Sequence, residues 1–320
     1  MIPDVSICIV NWNGGDMLRN LLTSLRISDP TITMETFVVD NASTDDSVAN
    51  IEADFPEATL VRNPTNAGFA TANDQAAEKA TGRYLLFLNN DTIATPGTIT
   101  RLVKFLDENP TYSAVGPKLV GSDGLPQRTG RNLPTLRSLL RLRLMCFPRW
   151  TPLFKKQYKE YRSTFDPETD NDVPQLAAAA LMVRHDIFKT IGGWDQEFPF
   201  GVEDVDFCIR LRKHGPIKYL SEVSIKHLGR ISSRANYGFT NSGYEVGYAR
   251  YLHKHHRHRW ASPLYKLLIT LDTPYRVFFY RCQYTLARMS NRTESAEKAY
   301  RRLSAARQFL FFHLPKFWKA

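Results

Sequence analysis

Cysteine is scarce in this 320-residue chain: Cys8, Cys146, Cys208 and Cys282 stand far apart, with no CxxC pair. That spacing excludes a disulfide framework and a cysteine zinc site, and reads as ordinary thiols of a reducing cytosol. Long apolar runs are also missing. None reaches the roughly 18–20 residues needed to span a bilayer. Met1-Ile2-Pro3-Asp4 lacks the basic opening of a signal peptide, and the apolar run over 5–10 is too short for its hydrophobic part. A cytoplasmic location is the expectation. No GxGxxG follows that run, so Gly14-Gly15 is too little for a dinucleotide site. No internal repeat is visible. What remains is an ordinary globular composition, 43% hydrophobic and 23% charged, in a chain long enough for one large domain, or for one domain plus an appendage.

Charge is unevenly placed. Residues 251–320 hold 14 Lys/Arg against 3 Asp/Glu, whereas the other 250 residues hold 28 against 29. The net charge of +10 is therefore a property of the tail. A second basic stretch, 128–162, has 10 Lys/Arg and the single acid Glu160. Such asymmetry points to an anionic surface, either lipid headgroups or nucleic acid.

Apolar runs at 5–10, 36–39, 59–62, 83–88 and within 112–120 read as strands. Helical spacing follows Gly15 (Met17, Leu18, Leu21, Leu22, Leu25), and helices are expected over about 46–55, from Asn66 to about Ala80, and over 98–108. This alternation predicts an α/β fold with a mostly parallel sheet and helices on both faces. Further on, 176–184 reads as a strand, 204–213 as a helix, 217–220 and 223–227 as two short strands, and the chain beyond about Gly243 as helical.

Three acidic clusters sit at the ends of these elements, where an open α/β sheet places its ligands. Asp40 follows a strand and opens Asp40-Asn41-Ala42-Ser43-Thr44-Asp45. Ser43, Thr44 and Asp45 are good helix caps, but Asp40 itself could accept a hydrogen bond from the imide N–H of uracil or thymine. Asn89-Asn90-Asp91 follows another strand. It reads as an Asx-turn, or as the oxygen donor for Mg²⁺ or Mn²⁺ shared with substrate phosphates. Glu203-Asp204-Val205-Asp206 opens a helix, where carboxylates favour the macrodipole. Asp206 and Arg210 have the spacing of a surface pair. The aromatic frame Gly192-Gly193-Trp194 and Phe198-Pro199-Phe200-Gly201 comes just before them. His227 ends a strand and is either structural or a metal ligand alongside Asp91. His253, His255, His256 and His258, interleaved with Lys254, Arg257 and Arg259, read as a solvated basic face.

Taken together these stretches resemble the family 2 glycosyltransferases, inverting enzymes of the GT-A fold, and within them the bacterial rhamnosyltransferase-like group. The resemblance covers roughly residues 4–230. It rests on 5–13, 38–45, Asn66-Ala67-Gly68-Phe69-Ala70 with Asn73, 86–92, 191–195 and 203–207, in that order. It implies a GT-A catalytic domain over 1–245 and a basic amphipathic helical region over 246–320. It implies that Asn11, Asp40, Arg62, Asn66, Gly68 and Asn90 line the donor nucleotide, and that Asp91 and His227 hold Mg²⁺ or Mn²⁺. Asp204 would be the general base with Glu203 beside it, and Trp194 and Asp195 would lie near the acceptor. The implied reaction moves a sugar from a UDP- or dTDP-sugar to a glycan or lipid-linked acceptor in cell-surface polysaccharide synthesis. Two departures stand out: Asn89 occupies the first position of the DXD-type metal motif, and the run 177–180 is all alanine where many relatives carry glycine.

Two other readings compete. An inactive relative would bind glycan or scaffold a complex. A nucleic-acid-binding protein would use the basic tail, but the acidic clusters would then be unexplained and no known binding motif is present; no nucleic acid is expected. Tail segments 265–288 and 300–319 mix Leu, Phe and Trp with Lys and Arg, as helices lying in a membrane interface do. The stretch 136–147, with Arg137, Arg141 and Arg143, reads the same way. The alternative is helices packed on the catalytic domain. The first reading predicts a peripheral position on an anionic inner membrane face.

Overall fold

In the computed structural model the described residues are 2–49, 51–145, 165–198, 200–229 and 237–320; Cys146, Phe147 and Pro199 lie outside them. The chain forms two compact units: Met1–Leu133 with Thr164–Glu197 and Glu203–Ser232, and Pro134–Ser163 with Phe198–Val202 and Ser233–Ala320.

The first unit carries strands β1 (Val5–Asn11), β2 (Met34–Asp40), β3 (Ala58–Arg62), β4 (Tyr84–Asn89), β5 (Thr92–Ile93), β6 (Ala114–Val120), β7 (Asn171–Asp172), β8 (Ala180–Arg184) and β9 (Ile217–His227). One sheet holds them in the order β3-β2-β1-β4-β8-β6-β9-β5, with β7 also on β9. Helices α1 (Asp16–Ser28), α2 (Ile51–Asp54), α3 (Phe69–Lys79) and α4 (Thr98–Glu108) connect the early strands; α5 (Leu136–Arg143) belongs to the second unit; α6 (His185–Thr190) and α7 (Glu203–Leu211) follow β8.

Both sheet faces are buried, as the alternation of strands and helices predicts. Ile7, Ile9, Val38, Leu86 and Leu88 face one side with Leu18, Leu21, Leu22 and Leu25 of α1 and Ile99, Leu102 and Leu106 of α4. Their neighbours Cys8, Phe37, Val39, Leu85 and Phe87 face the other side with the alanines of α3. The period of two along each strand and the i, i+3, i+4, i+7 spacing of α1 produce this sorting. The half of the sheet from β3 to β4 is parallel. Beyond it the sheet is mixed: β8 lies antiparallel between β4 and β6, and β6 pairs β9 in parallel.

Local readings fail where pairing is irregular. The two short strands expected at 217–227 are one strand, β9, whose register against β6 jumps from Pro117↔Leu220 to Lys118↔Ser224. Pro117 has no N–H to give the ladder, and such residues accompany bulges. The helix expected over 46–55 is a 3₁₀ turn (Asp46–Val48) and the four residues of α2, because the Asp45 side chain accepts the N–H of Ser47 and caps a tighter turn.

The second unit adds α8 (Tyr237–His255), α9 (Ala261–Met289), α10 (Thr293–Gln308), a π-helical turn (Phe309–His313) and α11 (Leu314–Lys319). Its centre is a carboxylate, Glu245. Arg143 donates to Glu245 Oε1 from two nitrogens at 3.0 and 2.8 Å, and Arg276 Nη1 donates to the same oxygen at 2.9 Å. The Tyr265 hydroxyl donates to Oε2 at 2.6 Å. Arg276 also pairs with Asp272, which accepts the N–H of Met145 at 3.0 Å. Burial alone would raise the Glu245 carboxyl; the two guanidiniums outweigh it and hold the group at about 2. Arg143, expected on a membrane-facing stretch, is instead committed to this cluster. None of the described helices is long and apolar enough to cross a membrane.

Candidate active site

The ends of β1 and β2 meet in one polar cluster. Asn11 and Asp40 are opposed in register. Asn11 Nδ2 donates to Asp40 Oδ1 at 3.0 Å and to Ser47 Oγ at 2.9 Å, and its Oδ1 accepts from Asn90 Nδ2 at 2.8 Å. Asp40 Oδ2 accepts the N–H of Ser43 at 3.1 Å. Gly14 passes so close that a Cβ there would lie 2.3 Å from Asn11 Oδ1 and 2.5 Å from Asn90 Nδ2. Glycine is required by that approach. Arg62 is opposite Asp40 on β3, but its guanidinium pairs with Glu52 at 3.0 Å on the surface. Asn66 Oδ1 accepts the N–H of Gly68, whose carbonyl accepts from Asn41 Nδ2 at 3.2 Å. So Asn11, Asp40 and Asn90 share one network, while Asn66 and Gly68 are tied to the next residue, Asn41.

The two-residue strand β5 creates the second group. Thr92 pairs with His227 across β5 and β9, and Leu228 donates its N–H to Asp91 O at 2.8 Å. This register sets His227 Nε2 3.2 Å from Asp91 Oδ1. Gln127 fixes the ring: its Nε2 donates to the His227 carbonyl at 2.8 Å, so its Oε1, 2.7 Å from Nδ1, accepts the Nδ1 proton. Nε2 is buried and has no hydrogen-bond partner among the described residues; in the neutral ring it carries a lone pair. A nitrogen facing a carboxylate at that distance is satisfied either by a proton on Nε2 or by a cation shared between the two. Adjacent ligands on an octahedral ion at about 2.1 Å lie about 3 Å apart, which the pair matches. Asp91 and His227 could supply two ligands; among the described residues no group of three or more His, Cys, Asp or Glu converges as a metal set.

Asp204 opens α7. Protein surrounds its carboxylate closely, yet part of the residue stays open to solvent. Burial raises the carboxyl to about 6, against the nearby Arg131 guanidinium and the N–H groups of Val205, Asp204 itself and Ala178, which favour the charged form. The alanine run joins this carboxylate to the metal motif: Ala178 N–H meets Asp204, and Ala179 O accepts the N–H of Asn89 at 3.0 Å. The extended segment 127–131 runs alongside, with Ala177 donating to Thr129 O and Arg131 to Gln175 O. Residues two apart share a face of such a segment. Gln127 therefore meets His227 and Arg131 meets Asp204 from one rail.

Glu203 is buried beside Asp204. Asp206 and Arg210 do not form a surface pair: Asp206 is buried, and Arg210 binds it at 2.8 Å while donating to Ile191 O and Gly193 O. That pair secures the Gly192-Gly193-Trp194 turn. Trp194 is 3% exposed, stacked on Phe207 at 3.9 Å and edge-on to Phe87. Asp74 accepts its N–H at 2.9 Å, and Gly193, at φ 70°, leaves room for that carboxylate. Asp195, next in the chain, accepts the N–H of Glu197 at 3.0 Å. Sequence reasoning passed over Gln127, Arg131 and Asp74. Only the polar alternation Gln127, Thr129, Arg131 within 120–131 hints at the first two.

Comparison with known proteins decides the family. The family model described as glycosyl transferase family 2 matches residues 6–192. The chain belongs to that family. It is similar to N-acetylglucosaminyl-diphospho-decaprenol L-rhamnosyltransferase of Mycobacterium tuberculosis, 24% identical over 82% of this chain and 89% of the relative. It also resembles the O-antigen biosynthesis protein RfbC of Myxococcus xanthus, 27% identical over 78% of this chain and 19% of that protein. Among solved structures, the mannosyltransferase PcManGT of Pyrobaculum calidifontis, in complex with GDP-Man and Mn²⁺, superposes with a TM-score of 0.55 at 15% identity, over 97% of this chain and 88% of that one. GalNAc-T7 with UDP, GalNAc and Mn²⁺ gives 0.55 at 16% identity, over 79% of this chain and 51% of its own. The family 2 protein is thus a glycosyltransferase of the GT-A fold with a C-terminal helical region.

Proposed function

We propose that this glycosyltransferase moves a sugar from a UDP- or dTDP-sugar to a hydroxyl of a lipid-linked or glycan acceptor, with inversion at the anomeric carbon, in cell-surface polysaccharide synthesis. The observation that carries the reading is Asp204: a carboxylate held near 6 and tied through Ala178 and Ala179 to the strand end that bears Asp91. A base with that affinity is ionised at neutral pH and still takes a proton effectively. It receives the acceptor hydroxyl's proton as the oxygen attacks the anomeric carbon, while the C1–O bond to the nucleoside diphosphate breaks and its electrons leave with the phosphate.

Asp40 and Asn11 bind the nucleobase side of the donor, with Asn66 and Gly68 alongside and Arg62 at the rim once it exchanges Glu52 for ligand. Asn90 links that network to Asp91. Asp91 and His227 hold Mg²⁺ or Mn²⁺, which when bound offsets charge on the departing diphosphate. Asn89, where an aspartate is usual, sits in β4 and leaves the ion a smaller protein charge. Trp194 acts through the turn it anchors, which carries Asp195 toward the acceptor. A lipid-linked acceptor would set the work at an inner membrane face; the relative named for a decaprenol-linked substrate supports that choice.

The test is a panel of nucleotide sugars scored by metal-dependent thermal shift, followed by turnover of the stabilising donor. Stabilisation by a UDP- or dTDP-sugar in Mn²⁺, with nucleoside diphosphate released on adding acceptor, is expected. Binding without release would overturn the reading in favour of a non-catalytic relative.

A further inference from the structure

Helix α9 departs from an ordinary surface helix, because charged residues share its buried face with Tyr265 and Ile269. Lys266, Asp272, Thr273 and Arg276 are buried, Asp272 at 1% and Arg276 at 7% exposure. Their charges are met inside, by Trp318 O, Glu245 and the Asp272–Arg276 pair. Facing outward are Leu267, Leu271, Tyr275, Phe278, Leu286 and Met289, with Leu271 at 66% and Phe278 at 67% exposure. Exposed Cys282 fills the gap between Phe278 and Leu286. The steps along this stripe are 4, 4, 3, 4, 4 and 3. That is an eleven-residue period of about 3.67 per turn, close enough to 3.6 to keep the stripe on one side for about 33 Å. From 263 to 280 every exposed position of the helix is uncharged.

The C-terminal segment extends the surface. Trp318 Nε1 donates to Thr270 Oγ1 at 3.2 Å, which sets the half-exposed indole one residue from Leu271. Phe311 and Phe312 are exposed on the same segment. Lys316 and Lys319 flank the indole, and Arg281 and Arg288 border the far half of the stripe, all four exposed. Single exposed leucines need no explanation, but a continuous apolar stripe does. Its rim supplies tryptophan, tyrosine and long cationic side chains, which suit the boundary between headgroups and acyl chains. The net +11 of residues 251–320 gives that rim an anionic complement.

We propose that this face docks on an anionic bilayer, with α9 lying in the plane of the headgroups and Leu267, Leu271, Phe278 and Trp318 below it. The proposal deepens the reading of a membrane-borne acceptor and is tested without turnover. Full-length protein carrying Cys146→Ser is labelled at Cys282 with an environment-sensitive dye; Cys8 and Cys208 are buried. It is mixed with phosphatidylcholine vesicles with and without phosphatidylglycerol. Sedimentation with the anionic vesicles and a blue shift of the dye are expected. Leu271→Glu/Phe278→Glu should lower partitioning at least about 10-fold with the helical circular dichroism unchanged. Lys316→Glu/Lys319→Glu, at exposed sites that cannot unfold the core, should give a smaller loss that salt mimics. Unaltered sedimentation of both pairs would overturn the proposal. So would a wild type that ignores vesicles and forms a dimer abolished by the Leu271/Phe278 pair, because the face would then belong to a second copy. Turnover on a water-soluble acceptor analogue, run in parallel, reports on the catalytic reading separately.

Discussion

Each unit of this molecule encloses a carboxylate, and the two are driven in opposite directions. Glu245, among the helices, is held at about 2 by Arg143 and Arg276, with Tyr265 donating as well. Asp204, at the sheet, is raised to about 6. Burial raises both. The outcome depends on what meets each charge. Around Glu245, among the described residues, the guanidiniums of Arg143 and Arg276 face the carboxylates of Glu245 and Asp272, and these four charges balance. Near Asp204 the Arg131 guanidinium and the backbone N–H groups of Val205, Asp204 and Ala178 leave part of the burial cost in place. A structural carboxylate is matched until it cannot be protonated; one left with an unmet affinity for a proton is suited to accept one.

Removing each carboxyl charge breaks the comparison from either side. Asp204→Asn should cost about 10²–10⁴-fold in kcat, with donor affinity unchanged by calorimetry. A variant that loses donor binding instead would make Asp204 a binding group. Wild-type kcat should fall as pH drops through about 6, since the base is then protonated. In the other unit, Glu245→Gln strands two buried guanidiniums against one carboxylate. Breaking such a cluster costs about 3–5 kcal/mol, read as a lower urea midpoint of the helical signal. If it unfolds like the wild type, Glu245 is no better matched than Asp204 and the contrast collapses.

The same contrast explains what could be read in advance. Strands β1, β4 and β6, both helix-covered sheet faces and the acidic strand ends follow from local pattern, because apolar runs and their polar stops are contiguous. The partners of those strand ends are not contiguous. β5 has two residues and no periodicity, yet its pairing with His227 sets the Asp91 contact. Asp206 and Arg210 have surface spacing, and only the packing of α7 under the Gly192-Gly193 turn makes the pair internal. Glu245 is one glutamate in a helix of mixed residues. Its cations come from Arg143 and Arg276, which are 102 and 31 residues away. Charge along the tail points to an anionic partner, but which side of α9 is apolar depends on Lys266, Asp272 and Arg276 turning inward while Arg281 and Arg288 stay outside.

Gln127 sharpens the comparison at the end of the site proposed to hold the metal. It holds the His227 ring and backbone together, so Gln127→Ala frees the ring to turn. Losing such an outer partner typically lowers metal affinity about 10–100-fold. Mn²⁺ titration followed by electron paramagnetic resonance of the free ion should show that loss, with Gln127→Asn no better because its amide is one methylene short. Unchanged affinity in both variants would leave Gln127 as packing alone.

The smallest effect is the most direct check on the opposed carboxylates. Because the folded-state affinity of Asp204 for a proton lies above its unfolded value, the native state binds more protons than the unfolded one between about pH 4 and 6. Stability contributed by the protonated group is therefore full below about pH 4 and declines as pH rises through about 6. At neutral pH the ionised carboxylate leaves the native state destabilised by on the order of 1–2 kcal/mol, after allowance for its partial exposure. Asp204→Asn removes that penalty. The variant that loses catalysis should then unfold at higher urea than the wild type near pH 8, and at the same urea below about pH 4. A variant less stable at both pH values would mean that Asp204, like Glu245, is held by what surrounds it, and the distinction between the two units would be lost.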